Sequence, residues 1–285
     1  MPELPEVETV RRTLEPLLIG KCIESFDLLW PRTLAADDPG EFRNRIEGRT
    51  ISGVNRRGKL LVLRLDSGDW ITIHLRMTGE LLFHPAGATP RAQGREPYLR
   101  AALGFAGGDE LLFYDTRKFG RITFYRHNET EELDRALGVE PLGEEFSAAE
   151  LGRILRRRRR LKSLLLDQRL IAGIGNIYAD EALFTARLHP LRQADSLDNA
   201  EVTALRDAIV DVLSTAVAGQ GTTLRDYRSG LGEPGANQHR LNVYGKPAGS
   251  PCPRCGSPLA RITVDQRSTT FCPECQPEIR RTPNR

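Results

Sequence analysis

The sequence predicts an α+β chain of more than one domain: a β-sandwich led by a helix, then a helical segment, then a C-terminal hairpin clamped by metal. Three observations carry this. Short segments rich in β-forming residues crowd the first 130 positions behind one amphipathic run. The texture turns helical from about residue 147. Four cysteines near the end fall in two Cys-x-x-Cys pairs. A length of 285 residues suits two domains.

The chain opens MPELPEVETV, with two prolines and three glutamates in its first eight residues. Val7, Val10, Leu14, Leu17 and Leu18 repeat at helical spacing and Gly20 ends the run. A first helix over about Glu3–Leu18 follows. Proline at its start and acids in its first turn are ordinary helix-opening chemistry. The runs RTISGV, KLLVLRL, WITIHLRM, ELLFYD and GRITFYR come next, punctuated by Gly, Asp and Asn. Such a series predicts a β-sandwich over residues 1–130.

Residues 131–146 are acidic and carry Gly138, Pro141 and Gly143, which marks a linker. Ser147-Ala-Ala-Glu150 has the form of a capping box opening a helix that runs into RRRRRLK, residues 156–162. GIGNIYADEALFTARLHP predicts a glycine turn and a helix stopped by Pro190, and Asp198 is placed to cap a long helix reaching Val217. Residues 219–238 are glycine-rich and polar, so a mobile loop is expected at the end of a helical domain covering 147–238.

Residues 239–285 form the last predicted domain. Cys252-Pro-Arg-Cys255 and Cys272-Pro-Glu-Cys275 stand sixteen residues apart. That is zinc-site spacing: each pair offers two thiolates, and four complete a tetrahedron. Between them LARITVDQRSTTF alternates, turns at DQRS and resumes, so a two-stranded hairpin is expected with Arg267 near its tip. A basic side chain there suits a phosphate or a groove, and equally suits solvent. Cys22 stands alone as a small apolar residue.

Composition narrows the function classes. No stretch approaches about 18 uninterrupted apolar residues, which argues against a membrane span. The N-terminus lacks the basic head and apolar core of a secretory signal, so a cytoplasmic address is expected. Residues 151–285 hold 21 Lys and Arg against 13 Asp and Glu, a balance of +8. Residues 1–150 hold 20 against 25, a balance of −5. A basic second half suits a polyanion, though a solvated surface would look the same.

MPELPEVETVRR, RRGKLL, IHLRMTG, DTRKFG, GIGNIYADEALF, QGTTLRDY and the terminal cysteine pairs, in this order, resemble the bacterial formamidopyrimidine-DNA glycosylases. The match runs from the first residue to the last cysteines. It implies a β-sandwich, a helix–two-turns–helix domain and a zinc finger with one structural Zn2+. It also implies a monomer, nucleoid-associated in a bacterium, that binds double-stranded DNA in the cleft between domains. The family removes oxidised purines, 8-oxoguanine and formamidopyrimidines, and then cuts the strand at the abasic site.

The resemblance gives the opening stretch a chemical meaning. The family's nucleophile is the N-terminal proline freed when the initiator Met leaves, here Pro2. A terminal amine has an ordinary pKa near 8, so a useful fraction is unprotonated at neutral pH. Its attack on C1′ would release the base and leave an iminium, which acidifies C2′ and allows β- and δ-elimination. Glu3 is implied as the proton donor to O4′ and Glu6 as its support. Lys59 is implied as proton donor in elimination and phosphate contact, and Arg267 likewise in δ-elimination.

Further positions match the family's DNA contacts. His74, Lys162 and Asn176 match phosphate contacts, although Asn176 after two glycines would also serve as a helix cap. The Arg156–Arg160 run reads as general attraction to the DNA backbone. Met77, Arg117 and Phe119 match the trio that fills the hole left by a flipped base. Core packing is the competing account of Met77 and Phe119. Gly219–Tyr227 matches a lid, with Thr222 and Thr223 as contacts to the base. The related endonuclease VIII, which acts on oxidised pyrimidines, usually opens PEGPE and fills the void differently; Leu4 and the trio favour the purine enzyme. A DNA-binding protein without catalysis would be expected to lack Pro2, Glu3 or Lys59, and all three are present.

Overall fold

The structure is a computed structural model that describes residues 1–35, 38–88 and 94–278. The chain divides into two compact units. The first comprises Met1–Ala136 and Ala216–Gln238, and the second comprises Leu137–Thr215 and the chain from His239 onward.

In the first unit, α1 (Leu4–Leu18) is followed by β1 (Ile23–Leu28), α2 (Pro39–Ile46), β2 (Ile51–Arg57), β3 (Leu60–Leu65) and β4 (Trp70–His74). Then come β5 (Gly79–His84), β6 (Leu99–Phe105), β7 (Glu110–Asp115), β8 (Arg121–Tyr125) and α3 (Thr130–Ala136). The strands form two four-stranded antiparallel sheets, ordered β1-β6-β7-β5 and β2-β3-β4-β8. This is the expected sandwich. Its core joins residues of both sheets to Val7, Val10, Leu14 and Leu18, the helical stripe read from the sequence. Phe42 of α2 bridges the layers, 4.6 Å from Phe26 and 6.3 Å from Phe124 between ring centroids.

The runs named from the sequence leave out β1, β5, β6, α2, α3 and the short helix Leu161–Leu165, and α3 occupies the start of the expected linker. β6 (LRAALGF) is buried along nearly its whole length, so it lacks the polar alternation that advertises a half-buried strand. α2 has only Phe42 and Ile46 buried, too little periodicity to be noticed.

Residues 219–238 correct an expectation. They pack with the sandwich unit, not with the helical segment, and they are extensively bonded there. Phe83 N–H donates to the Gly230 carbonyl at 2.9 Å, and Gly230 N–H to Thr13 Oγ1 at 3.0 Å. The glycines allow close approach: a Cβ at Gly235 would lie 2.2 Å from the Gly221 carbonyl oxygen.

The second unit holds α4 (Ala148–Leu155), α5 (Leu161–Leu165), α6 (Asn176–Thr185), most of α7 (Asn199–Ala218), and the hairpin β9 (Ala260–Val264) and β10 (Arg267–Phe271). Ser147 caps α4 by accepting from Glu150 N–H at 3.1 Å. Asp198 and Glu201 form a reciprocal box at the start of α7. α4 stops before the arginine run, and α6 ends five residues before Pro190. The carbonyls of Phe184 and Thr185 there accept from the Arg254 guanidinium at 3.1 and 3.5 Å.

Candidate functional site

The head of α1 is built around two acids. Pro2 is buried, and Glu3 and Glu6 are 2 % and 1 % exposed. Glu6 Oε2 accepts from Glu3 N–H at 2.8 Å, which fixes the segment before the first helical turn. Glu6 Oε1 accepts from Thr222 N–H at 2.7 Å, and the Tyr227 hydroxyl donates to the Glu6 carbonyl at 3.2 Å. One carboxylate therefore holds both the head of the chain and the 219–238 segment. Burial raises the Tyr227 phenol above its ordinary range, so it remains a donor.

Lys59 follows Gly58, which turns the chain from β2 to β3 at φ +55°. Lys59 is 7 % exposed, not a solvated hairpin lysine. Arg56 ties the hairpin to α1 through Glu8 at 3.2 Å and to its own turn through the Gly58 carbonyl at 3.1 Å. Burial raises the Glu8 carboxyl, but Arg11, Arg12 and Arg56 outweigh it and hold it below its ordinary range. Leu60 pairs with His74 across the sheet, so the imidazole lies beside the lysine strand. Burial, with Arg76 and Lys59 adding positive charge, lowers the His74 pKa to about 3. His74 Nδ1 accepts from Arg76 N–H at 3.0 Å. The neutral ring thus carries its proton on Nε2, a donor suited to a phosphate oxygen.

Met77 and Phe119 are 43 % and 47 % exposed, so neither is a core residue. Arg117 Nη1 lies 3.0 Å from Met77 Sδ, and its guanidinium carbon lies 4.8 Å from the Phe119 ring centroid. The three form one exposed cluster on two loops of the sandwich unit. Thr222 and Thr223, the expected contacts to the base, are bonded within their own segment. The Thr222 hydroxyl accepts from Asn237 Nδ2 at 2.8 Å, and Thr223 donates to the Tyr227 carbonyl at 3.0 Å. Their polar groups hold the segment together.

In the second unit the structure corrects the reading of Lys162 as a phosphate contact. The residue is fully buried, and its ammonium lies 2.6 Å from Asp180 Oδ1. It also donates to Thr269 Oγ1 at 2.6 Å and to the Ser268 carbonyl at 3.3 Å. Burial pushes the Asp180 carboxyl up to about 7, against the pull of Lys162. Asn176 opens α6 with Gly175 as the capping residue, and its Nδ2 donates to the same Ser268 carbonyl at 3.0 Å. Lys162 and Asn176 thus grip β10 next to Arg267. Asp265 and Gln266, at φ +46° and +62°, make the two-residue turn before it, and Arg267 is exposed.

The sulfurs of Cys252, Cys255, Cys272 and Cys275 lie within 4.8 Å of one another. Cys252–Cys275 and Cys255–Cys272 are separated by 3.9 and 3.6 Å. A tetrahedral Zn2+ with Zn–S near 2.3 Å needs sulfur–sulfur edges of about 3.8 Å. The four residues fit one zinc, and four thiolates leave no open position for chemistry.

Asp180, Glu181 and Tyr227 were not singled out by sequence reasoning. Glu181 is 2 % exposed and accepts from the backbone N–H groups of Asn242, Val243 and Tyr244 at 2.8 Å each. Adjacent acids in a mostly apolar helical stretch, YADEALF, were the available signal. Tyr227 closes the motif QGTTLRDY, but its bond to Glu6, 221 positions away, leaves no local pattern.

Three family models cover most of the chain. The formamidopyrimidine-DNA glycosylase N-terminal domain matches residues 1–122, the H2TH domain of the same glycosylases residues 137–227, and the zinc finger found in FPG and IleRS residues 249–277. The formamidopyrimidine-DNA glycosylase of Enterococcus faecalis is 44 % identical over 97 % of both chains. That of Moorella thermoacetica is 49 % identical over 92 % of this chain and 94 % of its own. The Lactococcus lactis Fpg (MutM) complex with DNA containing N7-benzyl-Fapy-dG superposes with a TM-score of 0.88 at 35 % identity, covering 97 % of this chain and all of that one. The Thermus thermophilus MutM (Fpg) structure gives 0.84 at 44 % identity, covering 98 % and 100 %.

Proposed function

The chain belongs to the formamidopyrimidine-DNA glycosylase family, and we infer from that membership that it excises oxidised purines from duplex DNA and then cleaves the abasic strand. The observation that carries the reading is the buried head of α1: a proline at position 2, Glu3 beside it, and Glu6 holding the segment in place. With Met1 removed, the Pro2 secondary amine attacks C1′. The glycosidic bond breaks, the base departs, and an iminium joins enzyme and sugar. Glu3 protonates O4′ as the ring opens. The iminium draws electrons from C2′, a proton is lost there, and the 3′ phosphate leaves, followed by the 5′ phosphate. Lys59 and Arg267 serve as phosphate contacts and proton donors in the eliminations, and the neutral His74 adds a further donor. Met77, Arg117 and Phe119 occupy the space of the extruded base, with Arg117 facing the orphaned cytosine.

The zinc is structural and acts through the hairpin that carries Arg267. The substrate is double-stranded DNA with an oxidised purine or an abasic site, and the enzyme works as a monomer in the cytoplasm, on the nucleoid. No helix among the described residues is long and apolar enough to cross a membrane. Borohydride tests the nucleophile. Reduction should join the enzyme permanently to 8-oxoguanine DNA, and peptide mapping should place the bond on Pro2 with Met1 absent. A bond on Lys59 or another lysine would refute the assignment even if the strand were cut.

A further inference from the structure

We infer that Asp115 is the positioning residue of the duplex wedge, a carboxylate that sets Met77, Arg117 and Phe119 as one rigid tool before DNA arrives. The inference rests on the glycosylase reading above. Asp115 is 1 % exposed and lies where the two wedge loops meet, paired with Gly79 between β7 and β5. Its Oδ1 accepts from the Thr78 hydroxyl at 2.5 Å, in the Met77 loop, and from Arg117 N–H at 3.1 Å. Its Oδ2 accepts from Gly120 N–H at 2.7 Å, directly after Phe119. Arg117 N–H is also 3.2 Å from Thr78 Oγ1, so the two loops share one bonded junction. Asp115's own carbonyl accepts from buried Arg100 Nε at 2.7 Å, which anchors the carboxylate to β6.

The backbone around this junction needs such a brace. Arg76 and Lys118, one in each loop, sit at φ +54° and +60°, a region that non-glycine residues avoid unless their surroundings hold them. Both loops end in a glycine that admits no side chain. A Cβ at Gly79 would lie 2.4 Å from the Leu75 carbonyl oxygen, and one at Gly120 2.3 Å from the Phe113 ring. Lys118 supplies a second anchor, its ammonium 3.8 Å from the Trp30 ring centroid. A wedge ordered in advance does not lose conformational entropy at the moment of insertion.

Asp115→Asn tests this with little change of shape, because it sets an amide N–H against one of the donors now bound. Excision of 8-oxoguanine opposite cytosine should slow roughly tenfold or more, the scale of losing hydrogen bonds to a buried charged group. Cleavage of a pre-formed abasic site, which has no base to extrude, should stay near the parent rate. The fluorescence change of a 2-aminopurine placed beside the lesion, which reports unstacking on binding, should shrink or slow. Thr78→Val should give a smaller defect of the same pattern, and it carries the test if Asp115→Asn does not fold. Equal slowing on both substrates, or none on either, would overturn the inference. A parent protein that leaves 8-oxoguanine untouched would instead refute the glycosylase reading, and the 2-aminopurine signal would still report on the wedge.

Discussion

Pro2 and Glu3 stand together at the head of α1, and their proposed roles separate in experiment. Glu3→Gln removes the proton donor and leaves the amine, so base excision should fall by orders of magnitude, on the scale typical of acid–base groups. Trapping on a pre-formed abasic site should survive, because less acid assistance is needed there. Loss of both activities together would assign Glu3 to holding Pro2 instead. His74 carries a different test. Its folded pKa of about 3 lies below the ordinary histidine value of 6.5, so the folded protein binds fewer protons than the unfolded chain between those limits. Its contribution to stability is complete above 6.5 and is lost as the pH falls toward 3. The imidazole should stay neutral through roughly pH 5–8, and its NMR resonances should not titrate there. A midpoint near 6.5 would show that burial and the neighbouring cations do not set its charge.

On the proposed reading, the β9–β10 hairpin would link the metal site to DNA. Its turn presents Arg267, while Lys162 and Asn176 grip the Ser268 carbonyl from α5 and α6. Arg267→Ala should retain zinc, weaken DNA binding and reduce the slope of log affinity against log salt by about one. Cys272→Ser should lose zinc retention and DNA affinity together, and full affinity in metal-free protein would sink the structural-zinc account. The 219–238 segment is an element of another kind, mostly irregular and bonded to α1 and β5. Tyr227→Phe removes the one hydroxyl donor shared between the carbonyls of Glu6 and Gln220 and should cost about 1–2 kcal/mol, read as a lowered melting temperature. An unchanged melting temperature would mean that the bonds to Glu6, Thr13 and Phe83 hold the segment without the phenol.

Each compact unit has its own buried side chains, and the zinc cysteines belong to the second. Metal there should act as folding free energy for that unit. Calorimetry with a chelator should therefore lower a transition assignable to the second unit while the sandwich unit melts as before. A single transition that moves as a whole would show the two to be thermodynamically one.

The sequence by itself determined the features that depend on local pattern: the stripe Val7–Val10–Leu14–Leu18, the Ser147 and Asp198 caps, the alternating strands and the cysteine spacing. Each is a periodicity or a contact within a few residues, so it can be read in one window of chain. Its motifs also carried the family resemblance and with it Pro2, Glu3, Lys59 and the wedge trio. Tertiary structure alone decided what long-range burial decides. Lys162 looks like a surface cation until Asp180 and Thr269 enclose it. Gly235 looks like a loop glycine until the fold brings the Gly221 carbonyl to where a side chain would sit. Asp115 lies in plain sight in DTRKFG, but its role depends on Thr78, 37 positions earlier, and on the pairing of β5 with β7 that brings the two together. A buried polar group must find its partners, and those partners are fixed by the fold, not by the neighbouring letters.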